Sequence, residues 1–190
     1  MKMGSIRHVV PVKLLVGSLT GIPELEKQVE QTLAKQFGPI DLASPVMAFN
    51  YTEYYTREMG SRLRRTFYSF EQLIDPAELA GIKRRTNELE AAYAVAAFPV
   101  LRPINLDPGY LEMGKLILAS TKNHSHRIYL QEGIYAEVTL LYREKQFQPL
   151  EWTYPDYRSP AYHTFFLQIR GRYRFQLMEA GFIAGKSKSP

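Results

Sequence analysis

The side chains of this 190-residue chain that could do chemistry together lie in and around a predicted β-hairpin. Arginine meets phosphate or carboxylate through two hydrogen bonds, and histidine is the usual proton-transfer group near neutral pH. Carboxylates beside such groups orient them or exchange protons with them. The sequence therefore predicts an anion-binding cluster with proton-transfer groups. Its members are the anion contacts Lys115, Lys122 and Arg127 and the catalytic candidates His126, Glu137 and Asp107.

Pairing within the hairpin decides which side chains share its polar face. We predict strands at 127–130 and 134–142, joined by a three-residue loop at 131–133. In this register Arg127 faces Glu137. The same pair has an ordinary structural interpretation as a cross-strand ion pair. The other face of the hairpin is then apolar and consists of Ile128, Leu130, Ile134, Ala136, Val138 and Leu140.

The elements that must position this cluster alternate along the chain. Amphipathic spacing and capping residues predict helices, and alternating or β-rich runs predict strands. The expected elements are a strand at 9–16 ended by Gly17, a helix at 23–37, strands at 46–55 and 62–70, a helix at 75–97, and a strand at 100–105 closed by the turn Asp107-Pro108-Gly109. This strand-helix-strand-strand-helix-strand order is that of the ferredoxin-like fold.

Beyond this core we expect another strand at 115–121, the hairpin and a C-terminal helix. Residues 162–177 fit both a strand alternation and a helical stripe, and Ser159-Pro160 favours the helix as its start. The predicted fold class is therefore α+β. It is a ferredoxin-like β-α-β-β-α-β core extended by further antiparallel strands and a C-terminal helix.

Five segments resemble an uncharacterised bacterial family, the domain-of-unknown-function family 4416. The resemblance extends from Pro11 to about Leu177. The segments are Tyr51-Thr52-x-Tyr54-Tyr55-x-x-Glu58-Met59-Gly60, Ser69-Phe70-Glu71-x-Leu73-Ile74-x-Pro76, Asn105-Leu106-Asp107-Pro108-Gly109-Tyr110, His126-Arg127-Ile128-Tyr129-Leu130 and Trp152-Thr153-Tyr154-Pro155-Asp156-Tyr157.

The resemblance implies site residues but no established activity. Some family members carry a GTP-binding label. The family positions include the cluster around the hairpin, and they add Asn105, Tyr110 and Glu58 as ligand-binding candidates. Thr121 and Asp156 also occupy family positions. The segment 152–157 is interpreted as a lid or packing loop over the sheet.

A P-loop nucleotide site is excluded by the sequence. That site needs Gly, four residues, then Gly-Lys-Ser/Thr between a strand and a helix. The nearest approach is Gly185-Lys186-Ser187, where Ala180 replaces the first glycine and the printed sequence ends three residues later. The expected ligand is therefore an anionic small molecule, phosphate- or nucleotide-bearing, held by another geometry.

Two other functions are open alternatives. His124 and His126 could chelate a metal with Asp107 or Glu137, because a His-x-His pair in a strand points both rings the same way. The basic clusters at 62–65, 83–85 and 170–174, with many aromatic residues, could instead serve an RNA- or protein-interaction module. The sequence assigns no cofactor and leaves catalysis undecided.

Composition limits the classes of protein this chain can be. There is no cysteine, which excludes disulfides, thiol nucleophiles and iron–sulfur clusters. No apolar run is long enough for a membrane span, and residues 1–11 lack a signal-peptide core, so a cytoplasmic protein is expected. The net charge is +5, but residues 9–184 hold 20 basic and 19 acidic residues. We expect one domain, ordered over 8–182, with a disordered tail at 183–190.

Overall fold

A computed structural model describes residues 8–95 and 98–184. Over these residues the chain is α+β, with four helices and one antiparallel sheet of nine strands. The strands are β1 (Val12–Thr20), β2 (Ile40–Ala43), β3 (Met47–Ala48), β4 (Arg64–Ile74), β5 (Ile104–Leu111), β6 (Lys115–Ser120), β7 (Ile128–Gln131), β8 (Ile134–Arg143) and β9 (Gln146–Pro149). Their order is β2-β4-β1-β5-β6-β8-β7, with β3 beside β4 and β9 beside β8.

Helices cover both faces of the sheet. They are α1 (Leu25–Phe37), α2 (Thr56–Met59), α3 (Leu79–Val95) and α4 (Pro160–Glu179). Helices α1 and α3 pack on one face, where a core cluster includes Val16, Leu33, Phe70 and Ile82. Helix α4 packs on the other face against Leu15, Phe67, Leu116 and their neighbours. The sheet is therefore the middle layer of three.

Local sequence signals account for the starts of the two long helices. Asp75 accepts from the Ala77 amide and Glu78 accepts from the Asp75 amide, so the predicted capping box forms around a 3₁₀ turn that leads into α3. Ser159 accepts from the Tyr162 amide at the start of α4. The predicted end of α3 near residue 97 lies outside the described residues.

The helix predicted for 162–177 is confirmed. Six side chains spaced three or four residues apart are buried along α4, namely Tyr162, Phe165, Phe166, Ile169, Tyr173 and Leu177. A strand would have turned Tyr162 and Phe166 to the face opposite the other four residues of this stripe. The competing alternation would have buried Leu167 and Phe175 beside Ile169, but both of those side chains are exposed. Of the tail expected to be disordered, Ile183 packs against this core, and residues 185–190 lie outside the described part of the chain.

The strand predicted at 46–55 is wrong for most of its length. Only Met47–Ala48 pairs with β4, and the chain then turns into the short helix α2. The neighbour of β4 is instead β2, which directly follows α1. The aromatic residues that suggested a strand pack as a cluster around Phe49, so their burial comes from tertiary contacts.

Two predicted strand ends are also wrong. β1 continues through Gly17, where a Cβ atom would lie 2.9 Å from the Phe67 ring. β5 continues through Asp107-Pro108-Gly109, which pairs with β1 instead of forming a turn. A Cβ atom on Gly109 would collide with the carbonyl oxygen of Ile117 on β6. Both glycines therefore allow close approach within the sheet, where the sequence suggested a break.

Strands β5 and β6 pair only over Gly109–Leu111 and then separate. Side chains of α3 satisfy the backbone that is left free. The Leu106 amide donates to Glu90 Oε1 at 2.8 Å, and the Leu106 carbonyl accepts from Lys83 Nζ at 2.8 Å. The β5–β6 seam is thus three residue pairs long.

The hairpin register is confirmed near Ile128–Ala136 and Tyr129–Tyr135, but its loop is shorter than predicted. Gln131 pairs with Ile134, and a shift after Tyr129 absorbs the extra residue. Glu132 and Gly133 both have positive φ, as a two-residue type I′ turn requires.

The predicted apolar face of the hairpin is partly wrong. Ile134, Ala136 and Val138 pack towards α3, but a shift opposite Leu116 and Ile117 turns Leu140 to the α4 side. β7 is exposed along its whole length. Across the described residues, no helix is long and apolar enough to span a membrane.

Candidate ligand-binding site

A cavity of about 440 Å³ opens on the α4 face of the sheet, beside the N-terminal end of that helix. Its floor is formed by side chains of β4, β5, β6 and β8. Its walls come from three loops, one between β3 and α2, one between β6 and β7 and one between β9 and α4. The volume lies within the range of small-molecule sites in proteins.

Arg65 lies at the centre of the floor and is almost fully buried. Its Nη1 donates to Asp107 Oδ2 at 2.9 Å, and its Nη2 lies 3.6 Å from Asp156 Oδ2. Burial opposes its charge, but Asp107, Tyr157 and Asp156 raise the pKa of Arg65 above its ordinary value. The floor therefore holds one permanent cation between two carboxyl groups.

The pKa values of the two carboxyl groups shift in opposite directions. Burial opposes ionisation of Asp107, but Arg65 and Lys83, with hydrogen bonds from Arg65 and Asn105, hold the pKa of Asp107 below its usual range. Burial raises the pKa of Asp156, and the nearby charge of Asp107 adds to this effect against the opposing charge of Arg65. A pair of acids whose environments push their pKa values apart is a common arrangement in reactive sites.

The predicted pair Arg127–Glu137 forms at the end of the floor nearest β7. Arg127 Nε donates to Glu137 Oε2 at 2.8 Å. Its Nη1 donates to Ser120 and to the Lys122 carbonyl, and its Nη2 donates to the Tyr154 hydroxyl. Four of the five guanidinium N–H groups are thus engaged within the protein. Arg127 therefore links several parts of the site and has one N–H group left for an anion.

His126 lies behind the cavity wall. Its Nε2 is 3.1 Å from Glu137 Oε2, and its ring stacks on Trp152 at 5.2 Å between centroids. The His124 ring stacks on the other side at 5.9 Å and lines the cavity. Catalytic roles for His126, Glu137 and Asp107 stay a prediction. As for the metal hypothesis, the described residues hold no group of three His, Cys, Asp or Glu suited to a metal.

Lys122 lies at the cavity rim and is exposed. Its Nζ donates to the Tyr54 hydroxyl at 3.1 Å and lies 4.8 Å from the centroid of the same ring. Among the described residues no carboxylate forms an ion pair with it. Lys122 is therefore a cation with spare hydrogen-bonding capacity at the entrance.

Aromatic side chains make up most of the walls. Phe49, Tyr51, Tyr54 and Tyr55 come from the loop between β3 and α2, and Tyr154 and Tyr157 come from the loop between β9 and α4. The 152–157 segment is also fixed to β8, since Trp152 Nε1 donates to the Val138 carbonyl at 2.8 Å. This loop forms a wall beside the sheet.

The predicted cluster is brought together in part. Asp107, Lys122, Arg127 and Glu137 line the cavity, and His126 contacts Glu137. Asn105 does not line it but donates to Asp107 Oδ2 at 2.8 Å. The remaining candidates lie elsewhere, with Lys115 beside Glu112 at the far end of β6, Tyr110 packed on the α3 side and Glu58 exposed on α2.

Several cavity residues were missed as site candidates. Arg65 was placed in a basic cluster, although its alternation with Phe67 already put both on one strand face. Asp156 is among the family positions that the resemblance offers as site candidates, whereas the aromatic spacing of 49–55 predicts a strand and no site. Arg65 lies on a strand outside the family segments, whereas Asp156 and most of 49–55 lie in family motifs on loops, which residue periodicity alone does not detect.

The three basic clusters mostly contact the chain itself. Arg65 and Lys83 are buried, Arg64 pairs with Glu26 at 2.7 Å, and Arg172 lies 3.4 Å from Asp41. Arg170 stacks on Tyr142. The RNA- or protein-interaction module stays a prediction, and it has few free arginines in these clusters to draw on.

The family model described as Domain of unknown function (DUF4416) matches residues 10–173. The chain belongs to the DUF4416 family. No curated protein and no solved structure matches it. The DUF4416 match includes every residue that lines the cavity, from Phe49 to Tyr157. The resemblance seen in the sequence is therefore confirmed at the level of the family.

Proposed function

We propose that this protein binds a small molecule that carries a flat ring and one anionic group, of the kind exemplified by a nucleoside monophosphate. The ring lies between the aromatic walls of the cavity and the anion is held at its rim. The observation that carries the proposal is the position of Lys122, a cation at the entrance of an aromatic cavity that pairs with no carboxylate in the described part of the chain.

The walls favour a flat ring over an aliphatic ligand. Six aromatic side chains from two loops face a cavity of about 440 Å³. Aromatic pairs prefer offset or edge-to-face packing and add to the energy of apolar burial. Exposed Tyr54 and Tyr154 flank the opening, so a ring can slide between them without first displacing a packed core.

Charge places the anionic group at the rim. Arg65 is matched by Asp107 and Asp156, and Arg127 is matched by Glu137, so neither guanidinium has an unbalanced charge to offer. Among residues 8–95 and 98–184, the Lys122 ammonium has only the Tyr54 hydroxyl and ring as partners. An incoming phosphate or carboxylate therefore meets its strongest attraction at Lys122.

Isothermal titration with the four nucleoside 5′-monophosphates and with phenyl phosphate tests the function. We expect saturable one-site binding of at least one probe, weakened about tenfold by Lys122→Ala through the loss of a charged hydrogen bond. Lys115→Ala is the matched control, since Lys115 lies on the same strand–loop unit but far from the cavity. Its affinity should equal that of the native protein.

Three results would count against the proposal. One is the absence of binding by any of the five probes. Another is equal loss of affinity in Lys122→Ala and Lys115→Ala, which indicates a diffuse surface charge. The third is RNA binding that is tighter than binding of any mononucleotide and falls steeply with salt, as the interaction-module alternative predicts.

We also propose that residues 12–111 adopt the ferredoxin-like arrangement within a single domain. The order β2-β4-β1-β5, with every neighbouring pair antiparallel and with α1 and α3 on one face, supports it. The second strand of that motif is then β2 at Ile40–Ala43. One continuous sheet through all nine described strands supports the single domain.

A further inference from the structure

Buried polar atoms without a partner lie at the cavity and directly beside it. Within the described part of the chain, Arg65 Nε, the Tyr157 hydroxyl and the Tyr162 hydroxyl have no hydrogen-bond partner. Each belongs to a side chain that is at least nine-tenths buried. Buried polar groups in folded proteins are nearly always hydrogen-bonded, and an unsatisfied one is costly. Three together call for a common explanation.

These three side chains surround one aromatic ring. The Arg65 guanidinium carbon lies 5.7 Å from the centroid of Phe67. The rings of Tyr157 and Tyr162 lie 5.8 Å and 4.7 Å from the same centroid, and 5.8 Å from each other. Arg65 and Tyr157 also line the cavity. The unused donors of Arg65 and Tyr157 are thus neighbours. We call the part of the cavity that Arg65, Tyr157, Asp107 and Asp156 line its deep end.

Acceptors lie beside these donors. Asp107 and Asp156 both line the cavity and both flank the guanidinium of Arg65. With Arg65 counted as +1, the deep end has no surplus positive charge to hold an anion. The deep end presents hydrogen-bond donors next to carboxylate acceptors. A neutral ligand group that has an acceptor next to a donor complements this arrangement.

We propose that this deep end is a recognition subsite for the polar edge of a heterocycle, with the Arg65 and Tyr157 donors bonded to a ring acceptor and a carboxylate of Asp107 or Asp156 bonded to an adjacent ring N–H. The inference rests on the proposed function, since it takes the ring already placed between the aromatic walls and names its chemistry. The ligand class is a nucleobase-like ring, as opposed to a plain aromatic ring.

The test compares two ligands that differ only at the ring edge. Uridine 5′-monophosphate presents adjacent N–H and C=O groups. A phenyl C-riboside 5′-phosphate keeps the sugar, the phosphate and a flat ring but has no polar edge. We expect the uridine nucleotide to bind at least tenfold more tightly, because several buried hydrogen bonds are formed with it and left unmade with the analogue.

Tyr157→Phe separates recognition from folding. The Tyr157 hydroxyl has no partner in the free protein, so its removal should leave the unfolding midpoint unchanged or raise it. Affinity for the uridine nucleotide should fall roughly fivefold, as expected for one neutral hydrogen bond, and affinity for the phenyl analogue should not change. Tyr162→Phe serves as a second variant with the same expected stability.

Tyr93→Phe is the reciprocal control. The Tyr93 hydroxyl is 2.9 Å from the Thr32 hydroxyl, on the other face of the sheet. This variant should unfold at a lower temperature than the native protein and bind the nucleotide equally well. Comparison of Tyr93→Phe with Tyr157→Phe controls for any general effect of replacing tyrosine by phenylalanine.

The outcomes separate the inference from the function on which it rests. Equal affinity for the two ligands, or an unchanged nucleotide affinity in Tyr157→Phe, overturns the subsite and leaves the ring-and-anion function standing. The deep end then holds water only. Absence of binding by both ligands overturns the function and the subsite together.

Discussion

Arg127, the residue before β7, and Glu137 on β8 form a buried ion pair, with 2.8 Å between Nε and Oε2 and side chains only 2% and 1% exposed. Burial opposes the charge of Arg127, but hydrogen bonds to Glu137 and Tyr154 raise the pKa of Arg127 above its ordinary value. Removing one partner leaves the other charge buried and unpaired. We expect Arg127→Met to lower the free energy of unfolding by about 3–5 kcal/mol in urea titrations.

The double variant Arg127→Met/Glu137→Met tests the cause of that loss. Replacing both charges by apolar side chains removes the unpaired group, so the double variant should regain most of the stability. A double variant less stable than Arg127→Met would show that the pair itself, and not the unpaired Glu137, dominates the energetics.

The contributions of the two carboxyl groups beside Arg65 to stability should change in opposite directions as the pH rises. Asp107 has a lowered pKa in the folded state, so its ionisation stabilises the fold above its unfolded pKa, and the stabilisation is lost as the pH falls through the folded value. Asp107→Asn should therefore be less stable than the native protein at pH 7, by about 3 kcal/mol, and the gap should close in acid.

Asp156 has a raised pKa, so its folded state favours the protonated acid and loses stability as the pH rises through the folded value. Asp156→Asn keeps the shape and cannot ionise. We expect it to match the native protein near pH 3 and to be more stable at pH 7, as measured by thermal unfolding across the pH range. A destabilised Asp156→Asn at pH 7 would contradict this sign.

Features that depend on residues close in sequence were predicted correctly, and features that depend on contacts between distant parts of the chain were not. The α4 stripe, the capping box at Asp75 and the Arg127–Glu137 pairing depend on residues close in sequence, and all were predicted. Pro108 and Gly109 carry the local signal of a turn, but pairing with β1 keeps them in a strand. Tertiary contact overrides local propensity there.

The cavity was harder to predict than the hairpin beneath it. Its floor joins Arg65, Asp107 and Glu137 from three strands separated by tens of residues, and its walls are loops without periodicity. Lys115 is a candidate because it occupies a family position, yet a six-residue strand of about 3.3 Å per residue separates it from Lys122.

Alanine substitutions at two glycines should change the free energy of unfolding in opposite directions. Gly109→Ala would force a Cβ atom into the Ile117 carbonyl on the neighbouring strand, so we expect a loss of roughly 3 kcal/mol from overpacking. Gly171 lies on α4 with nothing within 4 Å of a built Cβ atom, and Gly171→Ala should raise stability by about 1 kcal/mol. Urea unfolding of both variants checks the prediction, and a stabilised Gly109→Ala would contradict the close approach of β5 and β6.

Lys13 is a fully buried ammonium that joins β1 to α4. Its Nζ donates to Asp41, to the Phe70 carbonyl and to Gln176 Oε1 at 2.9 Å. Lys13→Met leaves Asp41 with a less compensated buried charge, so we expect a loss of about 3 kcal/mol, together with faster amide exchange in α4. Lys115→Met is the control, since the half-exposed Lys115–Glu112 pair should contribute less than about 1 kcal/mol. Equal losses in the two variants would contradict the role given to Lys13.

The β5–β6 seam of three residue pairs divides the sheet into two groups of strands that share one cavity. The group that contains β1, β2, β4 and β5 supplies Arg65 and Asp107, and the group that contains β6 and β8 supplies Glu137. Helices α3 and α4 pack against strands of both groups. A molecule bound in the cavity contacts both groups, so we expect its binding to slow amide hydrogen exchange along β5 and β6 together.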